Sequence, residues 1–132
     1  GGGVVALYGD LGSGKTTFAQ GIAEGLGIKK RIISPTFIIV RSYKLSIKPF
    51  GPELRVEGYE VLSIKYLYHI DLYRIDDKKS IKGLGIEEII NNPENIVVIE
   101  WAEKMVSMLP EKRWNIHFEH LDDKRRITIN GY

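Results

Sequence analysis

The run Gly9-Asp10-Leu11-Gly12-Ser13-Gly14-Lys15-Thr16-Thr17 holds the residues best suited to chemistry, because it meets the pattern G-x-x-x-x-G-K-[ST] at Gly9, Gly14, Lys15 and Thr16. Glycines serve there because the backbone must turn tightly and bring its N–H groups against an anion with no Cβ in the way. A helix opening near Lys15 aims the positive end of its dipole at the same anion. Lys15 then reaches the β- and γ-phosphates of a nucleoside triphosphate as a cation, and the Thr16 hydroxyl binds Mg²⁺. All nine residues of the run, Gly9 to Thr17, are candidate nucleotide-binding residues.

Phosphoryl transfer also needs an acid near the metal, at the end of a neighbouring buried strand. Asp71 follows Tyr68-His69-Ile70, and Glu100 follows Ile96-Val97-Val98-Ile99. The more continuous apolar run favours Glu100 as the metal-side acid, at a strand end clear of the core. Asp71 is then placed to position the attacking water or a water of the Mg²⁺ shell, with a strand-end cap or a pair with Arg74 as the plainer reading. His69 reads as a packed, hydrogen-bonded strand histidine rather than a catalytic one. Trp101 reads equally as a stacking surface for a base or partner and as core.

The elements that must carry these residues follow from periodicity. Val4 to Tyr8 is a short apolar run that predicts a buried parallel strand. Phe18, Ala19, Ile22, Ala23 and Leu26 share one helical face, and Gly27 stands where a helix would stop. Thr36 to Tyr43 and Ile64 to Leu72 read as strands, separated by a protruding loop over Lys44 to Gly58 that holds Pro49, Gly51 and Pro52. Asp76 to Asn91 predicts one or two short helices broken at Gly83 and Gly85. Ile96 to Ile99 is the strongest buried strand, and Ala102 to Leu109 reads as a helix stopped by Pro110. Trp114 to Leu121 and Arg126 to Asn130 predict a hairpin around Asp122-Asp123. The order gives an α/β, P-loop NTPase-like three-layer fold, with a mixed central sheet that is parallel near the nucleotide and has an antiparallel edge hairpin. Ligands of such sheets bind at the carboxyl ends of the strands.

A length of 132 residues predicts one domain, 1–132, and 43% hydrophobic with 27% charged residues supports a packed core. The chain has no cysteine, which removes disulfides and thiolate metal sites. No run is long and apolar enough for a membrane-spanning helix, so the expectation is a cytoplasmic protein with no membrane partner. A net charge of +2 argues against nucleic-acid gripping as the main task. Lys29-Lys30-Arg31, Lys78-Lys79 and Lys124-Arg125-Arg126 read as solvated surface. No N-K-x-D stretch selects guanine, and little length remains for the acceptor pocket and lid of a small-molecule kinase. These exclusions favour a minimal ATPase with a conformational output. A nucleotide-dependent binding module and a small phosphotransferase are the alternatives.

Taken in order, "LYGDLGSGKTTFAQGIAEGLGI", "SPTFIIVRSY", "YHIDLYRI", "LGIEEII" and "VVIEWAEKM" resemble the bacterial TsaE (YjeE) ATPases of tRNA threonylcarbamoyladenosine synthesis. The similarity runs from Val4 to Pro110 and continues more weakly in the last hairpin. It implies a cytoplasmic ATP- and Mg²⁺-dependent ATPase, slow on its own, that keeps a TsaB–TsaD assembly turning over and meets tRNA only through that complex. By position, Lys15 and Thr16 match the family's phosphate and Mg²⁺ residues, and Glu100 matches its metal-side acid. Thr36 matches a switch-like threonine, while Asp71 and Trp101 match residues associated with activity. The resemblance also implies a base-enclosing segment before the first strand, where this sequence has Gly1-Gly2-Gly3, so weaker ATP binding is expected. The Lys44 to Lys65 stretch is longer than the family's usual link.

Overall fold

The computed structural model describes residues 3–29, 39–45 and 64–131. Thr36, the Ser34-Pro35 step before it and all but the first two residues of the expected loop over Lys44 to Gly58 lie outside the described residues. Among the described residues six strands form one sheet: β1 (Gly3–Tyr8), β2 (Val40–Lys44), β3 (Tyr66–Asp71), β4 (Asn95–Glu100), β5 (Trp114–Leu121) and β6 (Lys124–Gly131). Their order across the sheet is β2-β3-β4-β1-β5-β6. The four central strands run parallel, so the ends of β1, β3 and β4 open onto one rim. The expected hairpin, β5–β6, closes one edge. The opposite edge is also antiparallel, because β2 pairs with β3 from Val40↔Ile70 to Lys44↔Tyr66.

Alternation along each strand splits the core into two layers. On one face Leu7, Leu67, Val98, Ile116 and Phe118 pack under α1 (Lys15–Gly25), which contributes Ala19 and Ala23, with Phe18, Ile22 and Leu26 partly buried. This is the predicted face. The helix ends as Gly27 implies: Gly27, at φ 80, donates to the Glu24 carbonyl and Ile28 to that of Ala23. Those two bonds make a Schellman close that satisfies orphan carbonyls.

On the other face Ala6, Ile70, Val97 and Ile99 pack against α2 (Lys78–Lys82) and α3 (Ile86–Asn91) through Ile81 and Ile86. The two helices are separated at Gly83 to Gly85 as expected, with Asp77 capping α2 through the Ser80 N–H at 2.7 Å. The predicted helix after Trp101 differs in kind. Ala102–Met108 is a 3₁₀ helix with a non-helical step at Met105, φ −135 and ψ 29. Three residues per turn line Ala102, Met105 and Met108 along one side, which suits a short segment facing the core.

Candidate nucleotide site

The loop between β1 and α1 owes its shape to glycine. Gly9 has φ 145, and a Cβ there would stand 2.7 Å from the Phe118 carbonyl oxygen and 2.9 Å from Ser13 Oγ. The first turn of the loop therefore presses directly on β5. Gly12 (φ 76) and Gly14 (φ 110) take left-handed conformations, and Gly14 caps α1. The hairpin touches the loop a second time, where His120 Nε2 lies 3.2 Å from the Gly12 carbonyl.

Lys15 is buried, 4% exposed. Its ammonium donates to the carbonyls of Gly9 and Asp10 and sits 3.9 Å from the centroid of the Trp101 ring. Burial holds its pKa below the ordinary value of 10.5, against the opposing fields of Glu103, Glu100, Asp71 and Asp10. Trp101 itself adopts φ 60 and ψ 42, a left-handed conformation, and is half-buried against Tyr73. It packs partly against the core, and one face of its ring meets the lysine of the loop.

Glu100, the last residue of β4, is at a strand end as expected but not clear of the core, being 2% exposed. Its even-numbered partners on β4, Ile96 and Val98, face α1, and so does its carboxylate. Oε1 accepts the Thr16 hydroxyl at 2.8 Å, and Oε2 meets His69 Nε2 at 2.5 Å. Asp71 is the register partner of Glu100 at the end of β3. It accepts the Tyr73 N–H at 3.0 Å, which ties the turn leaving the strand, so part of its work is the strand-end role weighed for it.

These groups surround a cavity of about 570 Å³. Leu11 to Thr17 form one wall, and Asp71, Tyr73, Arg74, Glu100 and Trp101 form the rim opposite. Gly9 and Asp10 shape the loop from behind without lining the cavity. Arg125 lines it as well, while staying exposed as its cluster reads from sequence. The missed signal is the period of two: in β6 Arg125 faces the same side as Ile127, whereas Lys124 and Arg126 face the other. Among the described residues no helix is long and apolar enough to cross a membrane.

A family model described as threonylcarbamoyl adenosine biosynthesis protein TsaE matches residues 1–128. The tRNA threonylcarbamoyladenosine biosynthesis protein TsaE of Bacillus subtilis is 38% identical over 131 residues, 98% of this chain and 70% of the relative. The protein of the same name from Haemophilus influenzae is 33% identical over 126 residues, covering 96% of this chain and 68% of the relative. A crystal structure of YdiB from Bacillus subtilis superposes with a TM-score of 0.67 at 36% identity, over 98% of this chain and 68% of that one. The loop, the sheet that presents it and these matches agree, and the chain belongs to the TsaE family of tRNA threonylcarbamoyladenosine biosynthesis proteins.

Proposed function

We propose that the chain binds ATP with Mg²⁺ and hydrolyses it, and that this turnover serves a TsaB–TsaD assembly that modifies tRNA. One observation carries the reading: the Thr16 hydroxyl is bonded to the Glu100 carboxylate beside a cavity walled by the glycine loop. Thr16 and Glu100 offer hard oxygen donors, the type Mg²⁺ selects. Among the described residues no group of three or more histidine, cysteine or acidic side chains could cage a metal alone. That also suits Mg²⁺, which takes one or two protein oxygens and completes its shell from phosphates and water. Thr16 and Glu100 would hold it, and when bound with ATP it would neutralise charge on the β- and γ-phosphate oxygens.

The chain's own groups divide the remaining work. Backbone N–H groups from Gly12 to Thr16 cradle the phosphates, and the α1 dipole adds to that field. Lys15 exchanges its two loop carbonyls for phosphate oxygens while remaining a cation. Thr16, with its proton committed to Glu100, turns its lone pairs to the cavity. Asp71 orients the water that attacks the γ-phosphorus, and Trp101 shields the lysine side of the cavity from solvent. Reconstitution with TsaB, TsaD, tRNA and threonylcarbamoyl-adenylate tests the whole reading. Multiple rounds of modification should require both ATP and Lys15. Equal turnover without ATP, or with a Lys15→Ala chain, would overturn it.

A further inference from the structure

His69 is 1% exposed, in the middle of β3 on the face that packs under α1. Nε2 meets Glu100 Oε2 at 2.5 Å, while Nδ1 is buried without a hydrogen bond among the described residues. Arg41 is the cross-strand partner of His69 on β2, and its Nε is likewise buried without a hydrogen bond among the described residues. A carboxylate oxygen accepts, so Nε2 carries the proton of this contact. Leaving a buried nitrogen unmatched costs about 1–3 kcal/mol, a cost an aliphatic side chain at the same strand position would not incur. The imidazole is therefore accounted for by its bond to Glu100 rather than by packing.

That bond has a consequence for the neighbouring oxygen. Glu100 ends its strand, and a terminal carboxylate turns freely about its last torsion unless both oxygens are held. His69 fixes Oε2, which leaves Oε1 aimed at Thr16 across 2.8 Å. Thr16 belongs to α1, Glu100 to β4 and His69 to β3, so three elements meet through one carboxylate.

We infer that His69 is a positioning residue, whose Nε2–H sets the Glu100 carboxylate in the orientation that engages Thr16 and so fixes how tightly a divalent cation is held with nucleotide. The inference rests on the proposed function, since it assigns the cation to Thr16 and Glu100. Second-partner hydrogen bonds of this kind alter metal affinity by about 10- to 100-fold when removed.

The geometry supplies its own control. A glutamine amide nitrogen reaches the position of Nε2, whereas an asparagine nitrogen reaches only that of Nδ1. Mn²⁺ binding in the presence of a non-hydrolysable ATP analogue, followed by electron paramagnetic resonance, reads the effect without any turnover. His69→Asn should weaken Mn²⁺ binding by about 10-fold or more, and His69→Gln should stay within about threefold of the parent chain. Binding of the analogue in EDTA should be equal for all three. A folded His69→Asn chain with parental Mn²⁺ affinity, or equal losses for Asn and Gln, would overturn the positioning role alone. A parent chain that takes up no Mn²⁺ with the analogue would overturn the proposed function and this role together.

Discussion

Asp71 and Glu100 are register partners at the carboxyl ends of adjacent parallel strands, yet their carboxylates are held in different ways. Both oxygens of Glu100 are engaged by side chains from other elements, and the group is buried. Asp71 is half-buried and bonds to the backbone two residues on. A fixed acid and a more accessible one side by side suit a division between holding a cation and orienting a water.

The burial of Glu100 decides how its variants behave. Glu100→Gln keeps the volume but loses the charge, so the fold should persist while Mg²⁺-dependent hydrolysis falls by about 100-fold or more. Glu100→Ala strips the acceptor from both Thr16 and His69. It should also lose about 1–3 kcal/mol of stability, measured by urea denaturation. An alanine chain as stable as the parent would show that the two donors find other partners.

Gly9 and Gly12 both have positive φ but differ in what surrounds them. A Cβ at Gly9 collides with the backbone of Phe118, whereas none of the described residues lies within 4 Å of one at Gly12. Gly12→Ala should cost about 1–2 kcal/mol, the conformational term alone. Gly9→Ala should cost clearly more, because β5 must also move. Equal thermal shifts for the two variants would remove Phe118 as the restraint on the loop.

Trp101 occupies a left-handed conformation that glycine adopts freely. Trp101→Gly should therefore be more stable than Trp101→Ala by about 1 kcal/mol, although both lose the contacts with Tyr73 and Lys15. Chemical denaturation of the pair reads the difference directly, and the reverse order would argue that the backbone relaxes once the indole is gone.

Much of this arrangement is legible from residue order. The glycine loop lies between an apolar run and a helical face, and Glu100 ends the most apolar strand, so local patterning suffices for both. The sheet order is not local. β1 sits between β4 and β5, pairings that join residues about 90 to 110 positions apart (Gly3↔Ile96, Val5↔Trp114). The partnership of His69 with Glu100 is hidden for the same reason, since only the β3–β4 register brings the two together. Arg125 is obscured by its charged neighbours, which alternate to the other face. The 3₁₀ form of Ala102–Met108 escapes because residues spaced by three fit either helix type over so short a length.

Lys15 makes a pH-dependent prediction. Its folded-state pKa is lowered by burial, so between that value and 10.5 the unfolded chain binds more protons than the folded one. Stability contributed by this group therefore rises with pH through that window and is constant below it. The unfolding free energy of the parent minus that of Lys15→Met should increase as pH approaches 10.5 and stay flat near neutrality. Paired denaturation curves across that range check the slope, and a flat difference throughout would mean that the ammonium bears no burial cost.

Whether residues 9 to 16 clasp the tail of a nucleotide is tested most directly by titrating ATP into the folded chain calorimetrically, with Mg²⁺ and with EDTA. The parent should bind one ATP, more tightly with Mg²⁺, and Lys15→Ala should lose about 10-fold or more in affinity as a buried charge-assisted contact disappears. Equal binding by Lys15→Ala, or binding indifferent to Mg²⁺, would contradict the assignment of the loop, Thr16 and Glu100 to this task.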